Sequence, residues 1–262
     1  MSSFADSPAT AYDGVSADAL VGHLGVARLA LYARVHSTMD VAHALAAAGA
    51  PDATLVLADA QVGGRGRAGR RWTSPSGTGV WATWIARPER ADALDVLSLR
   101  VGLALAERLD ALAPAPVRIK WPNDLLLARD AAASGPVGKL AGVLVEARWR
   151  DTRPEWVAVG VGINVRQPPD ASLGASWLGS HVSRLDAVAA LVDALRVATR
   201  AAGGLSPSEL ADYAARDATL GRRVAAPVEG TVAGLLPTGE LLVRDASGGL
   251  VPLRQATLEY VS

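Results

Sequence analysis

Between residues 143 and 161 two apolar, strand-like runs, 143–149 and 155–161, are separated by a gap with room only for a turn. Parallel neighbours need a crossover of a dozen or more residues, so these two strands must pair antiparallel rather than form a βαβ unit. From Gly221 onward short strand-like runs again alternate with glycine turns, at Gly230, Gly239 and the Gly248-Gly249 pair. That pattern predicts a small all-β barrel of about forty residues attached to an α+β body. So short a module buries little by itself, and it should lean on the larger part.

Ahead of these stretches the spacing predicts helices over 18–30 and 91–113 and, after them, over 185–202 and 206–215. The 91–113 pattern is the longest; it is apolar at Leu94, Leu97, Val101, Leu105 and Leu109, and Pro114 and Pro116 end it. Ser37 and Thr38 precede an alanine-rich helix that Gly49 stops. Pro207 follows a Ser206 cap. Strands are expected over 31–35, 54–58, 80–85 and 117–119, the third alternating around Trp81 and Trp84. Residues 1–14 read as weakly ordered, 131–136 as a hairpin-like connector and 167–177 as a loop. The resulting division is an N-terminal segment with a short helix (1–30), a main domain (31–219) and a C-terminal β module (220–262).

At 262 residues the chain has ample length for a core, and its 26 basic and 26 acidic residues cancel. A dedicated duplex-DNA binder would show a basic domain, so any anion site has to be local. Without cysteine there is no disulfide, thiolate metal site or cysteine nucleophile. The four histidines are scattered and form no ligand cluster, so no protein metal site is expected. No apolar run reaches spanning length and the N-terminus has no basic n-region, which makes the cytoplasm the default compartment.

The local anion site has an obvious candidate in residues 61–72, QVGGRGRAGRRW. It holds four glycines, four arginines and no acid, between two strand-like runs. Backbone N–H groups and guanidinium forks can close together on a phosphate or carboxylate. A mobile surface loop or a nonspecific nucleic-acid tail has the same composition. Only two of the basic residues are lysines, Lys120 and Lys139. Lys120 opens a Lys-Trp-Pro-Asn-Asp turn over 120–124, which could equally be a strand-end turn with Asx contacts from Asn123 and Asp124. Lys139 sits between glycines at a strand start, as an exposed turn lysine also would. Residues 160–164, GVGIN, end a strand with small residues that would let a flat group approach.

Taken in order, Ser37-Thr38 before a helix, GRGRAGRRW at 64–72, KWPNDL at 120–125, KLAGVLVE at 139–146 and GVGINV at 160–165 resemble the biotin protein ligases over roughly 31–262. The resemblance implies a mixed, largely antiparallel central sheet with helices, the class II synthetase-like biotin/lipoate ligase fold, and an SH3-like C-terminal barrel. It implies two half-reactions. Biotin and ATP give biotinyl-5′-AMP and pyrophosphate, with Mg²⁺ on the phosphates. The acyl group then passes to a lysine of a biotin carboxyl carrier domain. The carrier supplies the nucleophile, and the enzyme has to mask the repulsion between two anionic substrates.

By the same resemblance Ser37, Thr38 and Gln61 correspond to ureido and biotin-pocket contacts, and Gly64 and Arg65 to the loop that closes over biotin. Arg67 corresponds to a contact to the carboxylate or the phosphate, with Arg70 adding charge. Lys139 corresponds to the lysine on the biotin carboxyl or acyl-phosphate. Gly142 lets strand backbone lie against biotin. Asn123 and Asn164 are adenylate-side contacts and Trp72 a wall for adenine. Asp124 either orients the incoming amine or helps remove its proton. Lys120 is structural or weakly electrostatic, with one of Lys120 and Trp121 facing the core, and Arg71 faces solvent. Gly63 stands where the family usually has alanine, which makes the loop more mobile, and Met39 replaces a frequent asparagine. The family's repressor members carry an N-terminal winged helix for which this chain has no room, so DNA binding is not expected. The chain could be a monomer or a homodimer. The alternatives are a lipoate- or octanoate-type ligase or transferase of the same fold, and a non-enzymatic nucleic-acid binder.

Overall fold

The computed structural model describes residues 6–128, 137–167, 174–254 and 258–260. The connector expected over 131–136 lies outside them, as does the middle of the loop expected over 167–177. The elements begin with three two-residue strands, β1 (Ser7–Pro8), β2 (Ala11–Tyr12) and β3 (Val15–Ser16), then α1 (Ala17–Leu24), β4 (Arg28–Val35), α2 (Thr38–Ala47) and β5 (Thr54–Gln61). They continue with β6 (Gly79–Ala86), α3 (Leu97–Leu109), β7 (Arg118–Lys120), β8 (Asp124–Ala128), β9 (Val137–Arg150) and β10 (Arg153–Asn164). After α4 (Arg184–Arg200) and α5 (Pro207–Arg216) come β11 (Arg223–Ala226), β12 (Gly230–Leu235), β13 (Leu241–Arg244), β14 (Leu250–Leu253) and β15 (Glu259–Tyr260).

Eight strands form one sheet in the order β1-β4-β5-β6-β10-β9-β8-β7. The β9–β10 hairpin is antiparallel, with Val161 opposite Val143 and Val159 opposite Val145. Only β4 and β5, joined through α2, run parallel. The sheet is therefore mixed and largely antiparallel. A second, five-stranded sheet, β14-β13-β12-β11-β15, is antiparallel throughout. Among the described residues its edge strands β14 and β15 do not pair, so it is described as an open sheet and not as a closed barrel. It leans on the body as expected: Val224, Val232, Leu241 and Val243 are continuous with the main core, and Trp121 Nε1 donates to Gly239 O at 3.1 Å.

The two faces of the large sheet are covered unequally. α3 and α4 pack on one face over the larger core, which takes in Val80, Trp84, Leu105, Leu109, Val159 and Leu191. The other face carries α2 alone, over a smaller core of Val35, Met39, Val56, Ile85 and Ala158. A ten-residue helix covers only part of that face, and the rest is left for a cavity.

Several elements depart from the sequence expectation. Residues 7–16 are ordered, with β1 added to β4 and Tyr12 buried. Arg184, buried at the start of α4, is paired with Asp13 and with Asp59 at 2.5 Å, and stacks on the Tyr12 ring with its Cζ 4.4 Å from the centroid. α1 stops at Leu24 because Gly25 takes φ +60° and donates to Val21 O, freeing β4 to begin at Arg28. β6 is buried along its whole length, since central strands covered on both faces lose the alternation of exposure. Residues 91–113 hold only thirteen α-helical residues after a 3₁₀ turn at Leu94–Val96; α4, with seventeen, is the longest helix among the described residues. α5 begins with a full capping box, Ser206 Oγ accepting from Glu209 N while Glu209 Oε2 accepts from Ser206 N. Among the described residues no helix is long and apolar enough to cross a membrane.

Candidate functional site

On the α2 side a cavity of about 350 Å³ opens between the helix, the 61–72 segment and strands β6, β8, β9 and β10. Its lining includes Ser37, Thr38, Gln61, Arg65, Arg67, Arg70, Trp72, Asn123, Asp124, Lys139, Gly142 and Asn164. The sequence motifs, dispersed over more than a hundred residues, are thus gathered at one place. Gly64 is the exception. It is buried behind the wall, where a Cβ would stand 2.9 Å from Ser74 Oγ.

One end of the cavity is polar and built from a directional hydrogen-bond chain. Thr83 Oγ1 donates to Thr38 Oγ1 at 2.8 Å, and Thr38 Oγ1 and its backbone N–H both donate to Gln61 Oε1, at 3.0 and 2.9 Å. The amide orientation of Gln61 follows, with Nε2 donating to Ser74 Oγ at 2.8 Å. Ser37 caps α2, its Oγ accepting from Met39 N. Thr83 and Ser74 were not among the residues picked from sequence. Thr83 projects from β6 onto the α2 face, and the period-two pattern of that strand is the signal that could have found it.

The floor is main chain. Gly142, Gly160 and Gly162 lie on the adjacent strands β9 and β10, Gly162 opposite Gly142. A Cβ at Gly162 would stand 2.5 Å from Trp72 Cε2 and 2.9 Å from Cζ2; one at Gly142 would stand 3.2 Å from Trp72 Cζ3 and from Lys139 Cε. The Trp72 ring therefore lies flat against bare strand. Its Nε1–H is buried without an acceptor among the described residues, and Trp81 meets it edge-on at 6.5 Å. A Cβ at Gly160 would meet Met39 Cε at 2.8 Å.

The charged end is lopsided. Arg65, Arg67, Arg70, Arg71 and Lys139 line the cavity against Asp124 alone. Lys139 Nζ pairs with Asp124 Oδ1 at 2.7 Å and lies 4.9 Å from the Trp72 ring centroid. The backbone around Lys139 is fixed on both sides: its N–H donates to Gly174 O, and its carbonyl accepts from Ser176 N and Asn164 Nδ2. Asn164 thus spends its amide donors on the carbonyls of Lys139 and Ser176. Asn123 donates from Nδ2 to Val143 O at 2.8 Å, and its Oδ1 accepts from Arg67 Nη1 at 3.4 Å. Burial presses the Arg67 guanidinium below its ordinary value, with Asp124 opposing and Arg70 adding to the shift. An arginine so placed remains a cation at neutral pH.

The 61–72 segment is laid down as a tongue. Its backbone closes on itself through Trp72 N to Gly64 O at 2.9 Å and Gly66 N to Arg70 O at 2.7 Å, and turns at Ala68 and Gly69, both with positive φ. Gly63 has a specific reason to lack a side chain. A Cβ there would stand 2.6 Å from His36 Cε1, and the Gly63 N–H donates to His36 O at 2.8 Å. This glycine seats the tongue on His36, a role that loop mobility did not anticipate. Arg71 is exposed at the cavity rim, with Nη2 donating to Val62 O. Trp121, not Lys120, faces the core. Lys120 Nζ lies 5.3 Å from the Tyr260 ring centroid and is absent from the cavity wall. Among the described residues no group of three or more His, Asp or Glu side chains gathers as a metal cage.

The family model described as the biotin/lipoate A/B protein ligase family matches residues 31–164. A bifunctional ligase/repressor of Bacillus spizizenii is 39% identical over 137 residues, which are 52% of this chain and 40% of that protein. The chain thus spans less than half the length of that relative. A biotin–[acetyl-CoA-carboxylase] ligase of Mycobacterium tuberculosis is 34% identical over 230 residues, covering 81% of this chain and 80% of the relative. Among solved structures, a biotin protein ligase of Aquifex aeolicus in complex with biotin and ATP superposes with a TM-score of 0.71 at 23% identity, covering 90% of this chain and 99% of that one. This last likeness is one of fold.

Proposed function

The chain belongs to the biotin/lipoate A/B protein ligase family, and from that premise we propose that it is a biotin–carrier-protein ligase that activates biotin with MgATP and transfers it to a lysine of a biotin carboxyl carrier domain. The observation that carries this reading is the charge of the cavity wall, five cations against one carboxylate among its lining residues, in the same cavity as the Thr38–Gln61 polar chain. Biotin and ATP together bring about five negative charges, and carboxylate oxygen reaches the α-phosphorus only where that repulsion is masked. Mg²⁺ would enter on the nucleotide phosphates, as part of the substrate.

In the first step a biotin carboxylate oxygen bonds to the α-phosphorus, and the bond to the bridging oxygen of pyrophosphate breaks. Lys139, held at its backbone from both sides, directs an ammonium at the carboxyl and acyl-phosphate oxygens. Arg67 and Arg70 hold the phosphates. In the second step the carrier's lysine nitrogen bonds to the acyl carbon, AMP departs with the C–O electron pair, and the amine gives up a proton to water. Asp124, whose carboxylate already accepts from the Lys139 ammonium at 2.7 Å, is placed to orient that amine beside the reacting carbonyl. Trp72, lying against the glycine strands, forms one flat wall of the slot that would take a planar ring.

The polar end favours biotin over a lipoyl or octanoyl group. A ureido ring brings two N–H donors and a carbonyl to the hydrogen-bonding capacity that Ser37, Thr38 and Gln61 keep beyond their protein partners, which a dithiolane or an alkyl chain would not use. The division into a catalytic part over 31–219 and a C-terminal module over 220–262 belongs to the same proposal. The experiment is direct. Incubation with biotin, MgATP and a carrier domain should add the mass of one biotin to the carrier lysine. No transfer, with no adenylate released when carrier is omitted, would overturn the reading.

A further inference from the structure

Arg65 faces two ways. It reaches the cavity, yet its Nη1 donates to Asp40 Oδ1 at 2.5 Å and its Nη2 stands 3.7 Å from Glu146 Oε2. Asp40 lies in the first turn of α2 and Glu146 on β9, and neither carboxylate lines the cavity. The side chain of Arg65 therefore fastens the tongue to α2 and β9 through two carboxylates that lie outside the cavity lining.

Glu146 is itself held in place. The indole N–H of Trp156 can only donate, and it reaches His43 Nδ1 at 2.9 Å. A neutral His43 ring then carries its proton on Nε2, which faces Glu146 Oε2 at 2.9 Å. His43 follows Asp40 by three positions and shares its side of α2. Trp156 is buried in the smaller core. An ordered series, Trp156 to His43 to Glu146 to Arg65, thus runs from core to tongue.

We propose that Asp40, His43, Glu146 and Trp156 are positioning residues that seat Arg65 and thereby set how long the tongue encloses the acyl-adenylate. The proposal rests on the ligase reading above. None of the four touches the reacting atoms, so their effect falls on retention and not on formation of the intermediate.

The test loads full-length protein with biotin and MgATP in the absence of carrier, removes free ligand rapidly and follows escape of the adenylate. In Asp40→Asn/Glu146→Gln, escape should accelerate by about tenfold, the change carried by two partly exposed ion pairs. Trp156→Phe keeps an aromatic ring but removes the indole N–H together with part of the buried side-chain volume, so it should act in the same direction with a smaller size, its melting temperature being read beside it. The single-turnover rate of adenylate formation should stay within about twofold of wild type. In an Arg65→Ala background the double substitution should add nothing, because its effect passes through that arginine. Wild-type escape from the double variant, or full acceleration retained in the Arg65→Ala background, overturns the proposal. Wild-type protein that loads no adenylate removes the ligase reading and this inference together, whereas normal loading with unaltered escape removes only the inference.

Discussion

Gly162→Ala is a one-carbon change that tests how the floor of the cavity is built. The added Cβ would stand 2.5 Å from Trp72 Cε2 and 2.9 Å from Cζ2, against the 3.4 Å or more of ordinary contact. The indole is rigid and cannot fold away at one end. It has to retreat as a plate by about an ångström, which disturbs both its edge-on contact with Trp81 at 6.5 Å and its place beside the Lys139 ammonium at 4.9 Å. Overpacking of this kind costs about 1–3 kcal/mol. At roughly 2–4 °C per kcal/mol for a chain of this size, the melting temperature should fall by about 2–12 °C. Adenylate formation should fall at least tenfold, since the same ring borders the slot and the catalytic ammonium, and misplacements near an ångström cost about that much or more. Gly160→Ala is the internal control. Its Cβ meets Met39 Cε at 2.8 Å, the free end of a flexible chain, so the loss should stay under about 1 kcal/mol. Differential scanning calorimetry and a pyrophosphate-release assay on both variants, and on Gly162→Ala combined with Trp72→Ala, complete the comparison. The combined variant should melt with Trp72→Ala alone. A Gly162→Ala protein melting within about 1 °C of wild type, or one not relieved by removing Trp72, would refute the packing argument.

Lys139→Met should reduce adenylate formation about a hundredfold or more with little change in melting temperature; unchanged turnover would remove its assigned role. Arg184→Leu leaves Asp13 and Asp59 without their cation beneath the N-terminal hairpin, and urea titration should show a loss of about 3–5 kcal/mol. Gly63→Ala should unseat the tongue from His36 and speed its cleavage by trypsin at the arginines, while the core melts as before. At Glu209, burial opposes ionisation, but the hydrogen bonds from Arg100 and Ser206 outweigh it and hold the carboxyl below its usual 4.5. A depressed folded-state value stabilises the protein above the unfolded one and ceases to do so as pH falls through it. Glu209→Gln should therefore cost about 2 kcal/mol at neutral pH, with the gap to wild type closing as the pH drops below about 4.5; a gap independent of pH would contradict this.

Much of the site was legible because its chemistry is carried by short, local motifs. Ser37-Thr38 announces both a helix cap and a polar pocket, Lys139 and Gly142 sit in a run whose strand character is plain, and Asn123 sits in a turn that Pro122 marks. What escaped is what depends on meetings across the sheet. Nothing in residues 6–16 signals order, since the segment is polar and its strands are only two residues long; its fixity comes from β4 and from Arg184, some 170 positions away. Gly63 read as added flexibility because His36, the group it makes room for, is brought there only when β4 and β5 run parallel. Trp156, His43 and Glu146 are unremarkable on three separate elements until α2 is laid across β9 and β10. The helix over 91–113 was overextended for a local reason: apolar periodicity does not distinguish a 3₁₀ entry turn from an α-helical one.

The glycines on β9 and β10 have a consequence for how this protein's selectivity could be changed. A surface made of peptide planes has its spacing set by the ladder between the two strands, and it offers no rotamer to adjust and no group to exchange. Any Cβ introduced there subtracts space, so substitution at the floor can only close the site. Discrimination between one ring and another must then reside at the margins, in Met39, the Thr38–Gln61 pair and the tongue. A variant selected to accept an altered ligand should carry its changes at those positions and keep Gly142, Gly160 and Gly162 untouched.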